Sequence, residues 1–160
     1  MTKLLDTPAD VDKMRRASGF FDDFHEYVSG DRWTAVLTDT GSAVLEDAAS
    51  GVLLLSPSDG TVADNDEAYL KSTKEWLLFA DDKPIEFEAR IKFAEAATDD
   101  ANILIGLMDA VAANSLQDNG AGPAASYSGV VFFKEDGQTL WSVESSLAGT
   151  QTTTQLTATN

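Results

Sequence analysis

From residue 19 onward, short apolar and β-branched segments recur between clusters of Gly, Asp, Asn and Ser. That punctuation predicts strands joined by turns. Residues 20–24, 33–38, 43–46, 51–57, 67–72, 85–93, 102–109, 127–134 and 139–144 are the expected strands, with a weaker tenth at 152–157. Within 85–93 every odd position is apolar (Ile85, Phe87, Ala89, Ile91, Phe93) and every even one charged (Glu86, Glu88, Arg90, Lys92). Period-two alternation predicts a strand with one buried and one wet face, as in an antiparallel sheet. Asn102-Ile103-Leu104-Ile105-Gly106-Leu107-Met108 is apolar almost throughout, which predicts a strand covered on both faces near the middle of a sheet.

Turn chemistry agrees with this division. Asp136-Gly137 between apolar runs marks a hairpin, because glycine takes the positive φ that a tight turn needs. Residues 112–126 are small and polar and predict a long surface loop. The first eighteen residues differ from the rest. Thr7-Pro8-Ala9-Asp10 places an N-cap candidate before a proline and an acid in the first turn, predicting a short helix over 8–16 with Val11 and Met14 on one stripe.

Composition then adds a charge asymmetry. The chain has 160 residues, enough for one domain with a continuous core, and a net charge of −16. The arm, residues 1–18, has four cations against three acids, or +1, which leaves seven against 24, or −17, for residues 19–160. A surface so acidic repels nucleic-acid phosphate and anionic lipid, so neither nucleic acid nor membrane is an expected partner. The arm is expected either to dock on an acidic surface, its own or a neighbour's, or to remain a frayed, solvated terminus. No cysteine is present, so disulfides and thiol chemistry are excluded. Apolar runs such as Val52-Leu53-Leu54-Leu55 are far too short to cross a bilayer, and the N-terminus lacks a signal-peptide core.

Candidate chemistry is sparse. The one histidine, His25, has no serine elbow to serve, so no catalytic residue is assigned. Asp64-Asn65-Asp66-Glu67 and Asp118-Asn119 offer oxygens for calcium but not at the spacing of a calcium loop, and clustered Asp and Asn read first as turns. No metal or other cofactor is expected. Glu86 and Glu88 share a strand face as a glycosidase pair would, although the plainer reading is the wet side of an amphipathic strand. Trp33, Trp76 and Trp141 are the aromatic candidates for stacking on sugar. Trp33 and Trp141 sit in apolar-alternating segments that suit a core, whereas Trp76 follows Lys74-Glu75 and is the one expected at the surface. Gly120-Ala121-Gly122 lacks the lysine and helix of a phosphate loop.

Several segments together resemble the concanavalin-A-like lectin and glucanase jelly rolls, in the branch found among structural proteins of tailed phages. They are Phe21-Asp22-Asp23-Phe24, Asp31-Arg32-Trp33, Asp64-Asn65-Asp66-Glu67, Lys83-Pro84-Ile85-Glu86-Phe87, Ile105-Gly106-Leu107-Met108-Asp109, Asp118-Asn119-Gly120-Ala121-Gly122-Pro123 and Tyr127-Ser128-Gly129-Val130-Val131-Phe132-Phe133-Lys134. The resemblance implies an all-β, antiparallel two-sheet jelly-roll β-sandwich over 19–160, preceded by the short helical arm 1–18. The family places further strands after the segment holding Trp141. Its glucanase members carry Glu-x-Asp-x-x-Glu on a strand, which is absent here, so hydrolase activity is not implied.

The expectation is therefore a non-enzymatic virion protein. It would be a phage capsid decoration or cement protein on the capsid surface, bound to the major capsid protein as a homo-oligomer on the lattice. Met14, Arg15 and Arg16 are the expected partner-binding residues. The alternative is a carbohydrate-binding adhesion module of a phage surface or tail fibre with Trp76 as its platform, and the weakest is a degenerate glycosidase using Glu86 or Glu88.

Overall fold

A computed structural model describes residues 19–61, 65–81, 83–95 and 97–159. The described chain is all-β, and every strand pair in it is antiparallel. The expected helical arm and its Met14, Arg15 and Arg16 lie outside the described residues.

Strand β1 (Trp33–Leu37) pairs with β4 (Ala68–Ser72), Trp33 standing opposite Ser72. Strand β2 (Ser42–Glu46) pairs with β3 (Val52–Ser56), Ser42 opposite Ser56. The largest sheet holds β5 (Ile103–Met108), β6 (Gly129–Lys134), β7 (Leu140–Leu147) and β8 (Thr150–Thr159) in sequence order. Asp136-Gly137 turns β6 into β7 with Gly137 at φ +77° and Gln138 N–H bonded to Glu135 O at 3.0 Å. Ala148-Gly149 turns β7 into β8 with both φ positive, at 50° and 81°, the geometry of a two-residue hairpin.

The core is built on one face of β6. Val131 and Phe133 are buried there, with Leu104 of β5 opposite Phe133 and Met108 at the end of the same face. Leu116 and Tyr127 complete the cluster from the loop between β5 and β6. The intervening side chains Val130 and Phe132 point to the other face, where they stay 37% and 40% exposed.

Three expectations need correction. Residues 85–93 form no strand, and Phe87, Ile91 and Phe93 are exposed at 43%, 45% and 38%. Alternation sets which side chains share a face, but a strand also requires a neighbour to take its backbone hydrogen bonds, and among the described residues none pairs with this segment in a ladder. Residues 20–24 form no strand either: the Asp22 carboxylate accepts the N–H of Phe24 at 2.9 Å and Phe24 sits at φ +51°, a local aspartate turn that competes with extended pairing. Strand β5 lies at the edge of its sheet rather than in the middle. Its near-continuous apolarity fits the segment around Phe79, Ile85 and Phe87, which lies beside it and β6.

Candidate functional site

The first candidate is a cleft of about 360 Å³ on the N-terminal side, lined by residues 22, 23, 25–28 and 31–33. Asp22 organises it: one carboxylate oxygen accepts Phe24 N–H and the other accepts the Trp33 indole N–H at 2.8 Å. Trp33 then stacks tilted on Phe24 at 5.8 Å and edge-on to Phe20 at 5.4 Å, and Phe20 meets Trp76 at 5.1 Å. Trp76, 44% exposed, is thus the outer member of a four-ring cluster rather than a lone platform. His25 pairs with Asp23 at 3.0 Å in the open, and no hydroxyl bonds it among the described residues. Close packing holds this segment down. At Gly51, φ +62°, a Cβ would collide with the carbonyl of Asp23, so only glycine lets the β2–β3 hairpin approach.

A second group of polar residues fastens the long loop. Glu67 is buried just before β4, and its two oxygens accept the N–H of Asn114 at 2.8 and 3.0 Å. The Tyr69 hydroxyl donates to it at 2.9 Å and the Thr38 hydroxyl at 3.3 Å. Tyr69 in turn accepts the N–H of Leu116 at 3.2 Å, and Lys71 Nζ donates to Val111 O at 3.0 Å. Alternate residues Glu67, Tyr69 and Lys71, just before and within β4, thus grip a loop that composition marks as a surface excursion. The loop is correspondingly buried at Ser115, Leu116 and Pro123, and it closes on itself through the Leu116–Pro123 bridge around a 3-10 turn at Asp118–Gly120. Burial pushes the Tyr69 phenol well above its ordinary value, with the Glu67 carboxylate adding to the rise and the Leu116 backbone bond opposing it.

The same device recurs in the sheet. Glu144 is buried in β7 and accepts the Tyr127 hydroxyl at 3.0 Å and the Thr153 hydroxyl from β8. Burial, then the Glu144 bond and charge, push the Tyr127 phenol up as well. Lys134, fully buried at the end of β6, has its Nζ 3.5 Å from Glu95 Oε1 and 3.8 Å from Asp99 Oδ1. All of these groups fit a fastening role: each binds its partners across elements and none lines the cleft. Spacing alone could not reveal them, because Glu67, Glu144 and Lys134 look like ordinary wet positions in half-buried strands. A tyrosine two residues from a glutamate, as at Glu67-Ala68-Tyr69, is the one local signal of such a pair.

The third candidate is apolar. Phe79, Ile85, Phe87, Leu107, Val130 and Phe132 line a groove of about 250 Å³ on the outer face of β5 and β6. Phe93 extends the apolar surface by meeting Trp141 edge-on at 6.3 Å. Phe79, one of its lining residues, is 51% exposed, and the preceding Leu78 is 83% exposed.

The remaining expected site residues do not come together. Glu86 and Glu88 are exposed on the 83–95 segment, which joins no strand ladder among the described residues. Of the calcium candidates, Asp64 lies outside the described residues, Glu67 is saturated by protein donors and Asp118 opens the 3-10 turn. Among the described residues no three acids or histidines are placed to share a metal ion. Compared with family models, curated proteins and solved structures, the chain finds no match in any of the three.

Proposed function

We propose that the chain is a non-catalytic structural protein whose jelly-roll body coats a larger assembly, as a phage capsid decoration protein bound to the major capsid protein. The observation that carries this reading is the apolar face of β5 and β6. Phe79, Phe87, Val130 and Phe132 line one groove and leave large hydrophobic side chains in water, and a contiguous exposed apolar surface marks a place where another protein sits. The acidic remainder supports a face turned to solvent. The virion assignment itself draws on the sequence resemblance. Copy number in purified particles tests it: lattice multiplicity is expected, and Phe87→Ser with Val130→Ser should lower occupancy severalfold. Full occupancy of the double variant would remove the apolar face from the argument, and a few copies at a tail tip would replace coating by adhesion.

The Asp22–Trp33 cleft favours a second reading, carbohydrate binding, because it sets acids, Arg32 and Tyr27 beside an aromatic cluster. Glycan-array binding that is lost in both Trp33→Ala and Trp76→Ala would establish it. An array that stays blank with the unaltered protein removes it.

A further inference from the structure

Among the described residues β8 ends the four-stranded sheet, with β7 its one neighbour in the ladder. In a two-residue hairpin the flanking pair, here Leu147 and Thr150, is the hydrogen-bonded one. Alternation then turns the backbone N–H and C=O of Thr152 and Thr154 toward β7, and those of Gln151, Thr153 and Gln155 outward. Residues 150–155 are all exposed. Natural edge strands are blunted by lysine, proline, bulges or brevity. Residues 150–155 have no such guard, since the ladder irregularity of this hairpin falls further along, near Leu140 and Ser142.

Two properties select the occupant. From Ser145 to Asn160 the sequence carries no charged residue, although the chain as a whole is at −16. Two such bodies repel each other over most of their surface, and this strand is where approach costs least. The outward stretch is also palindromic: Gln151-Thr152-Thr153-Thr154-Gln155 reads the same in both directions. An antiparallel copy centred on Thr153 therefore sets each glutamine against a glutamine and each threonine against a threonine. Opposed threonines are favourable cross-strand pairs, the Gln151 side-chain amide stays on Ala124 O at 2.9 Å, and the outward backbone groups of residues 151, 153 and 155 would form the hydrogen-bonded positions.

We propose that β8 pairs antiparallel with β8 of a second copy about a two-fold axis through Thr153, joining two four-stranded sheets into one of eight strands. The contact is isologous and closes at two copies. It rests on β8 alone and holds whether or not the coat reading does.

Sedimentation velocity over a concentration series tests the seam. The unaltered chain should dimerise, and the amides of Gln151, Thr153 and Gln155 should exchange slowly in the dimer and quickly on dilution. Gln155→Pro removes one outward N–H without touching the ladder to β7, and it should weaken dimerisation about tenfold or more. Thr152→Lys with Thr154→Lys places lysines directly opposite one another across the seam while taking the net charge from −16 to −14. Association driven by general charge would strengthen in that variant, whereas the seam would weaken. Circular dichroism and melting confirm that each variant is folded. A chain that stays monomeric at its highest soluble concentration overturns the proposal, and so does a dimer that persists unchanged in both variants.

Discussion

At Glu67 the N–H of Asn114 and the hydroxyls of Tyr69 and Thr38 converge on one buried carboxylate. Glu67→Ala leaves these donors without an acceptor and should cost about 3 kcal/mol in urea unfolding, the scale of stranding buried polar groups. At Glu144 the partners are two neutral hydroxyls, from Tyr127 and Thr153. Glu144→Gln keeps the shape and both contacts, with one hydroxyl turned to accept from the amide N–H, and should shift stability by about 1 kcal/mol. Glu144→Ala, which keeps neither, should lose about 2 to 3 kcal/mol. The paired phenols add a pH dependence. Both tyrosines are raised above the ordinary 10.0, so the folded chain retains protons that the unfolded chain releases. The associated stability is whole below about pH 10 and falls as pH rises beyond it. Urea unfolding from pH 8 to 11 should show this alkaline loss in the native chain and a shallower slope in Tyr69→Phe and Tyr127→Phe.

Among the elements, strands whose sequence supplied both apolar alternation and turn residues were legible. Strands β1 to β4 fall within a residue or two of the segments 33–38, 43–46, 51–57 and 67–72, and β6 and β7 flank the Asp136-Gly137 turn foreseen from the sequence. Strand β8 runs longer than the 152–157 expected, because Ala148-Gly149 carries the hairpin with an alanine at positive φ, which composition does not advertise. Residues 85–93 have the cleanest alternation in the chain yet make no ladder, since whether a neighbour is present is a tertiary fact. The cleft was likewise illegible, for it depends on Asp22 bonding an indole eleven residues away. The contact at Gly51 explains how that region is held. Gly51→Ala should cost about 2 kcal/mol, combining a strained φ with a backbone collision, and its melting temperature should drop more than that of Gly60→Ala. Gly60 also has positive φ, but its Cβ would meet open space.

Over the whole molecule, acids far outnumber bases, 27 against 11. The net charge of −16 opposes compaction, so added salt should raise the melting temperature most steeply below about 0.15 M, where screening length changes fastest. A melting temperature flat from low to moderate salt would show that the acids are spread too widely to repel. The apolar groove of β5 and β6 sits apart from the uncharged edge of β8, with β7 between them, so one copy can offer two contacts at once.

The clasp at Glu67 also bears on the order in which the chain acquires its structure. Asn114 lies 47 residues beyond Glu67, whereas the β6–β7 and β7–β8 ladders join neighbouring segments. Local hairpins close cheaply and distant contacts carry the larger loop-closure cost, so the clasp is expected to form after the rate-limiting barrier. Disturbing it should then act on escape from the native state and leave entry almost untouched. In a chevron plot Glu67→Ala would lift the unfolding limb and leave the folding limb in place, and a matching fall of the folding limb would instead put the clasp in the nucleus.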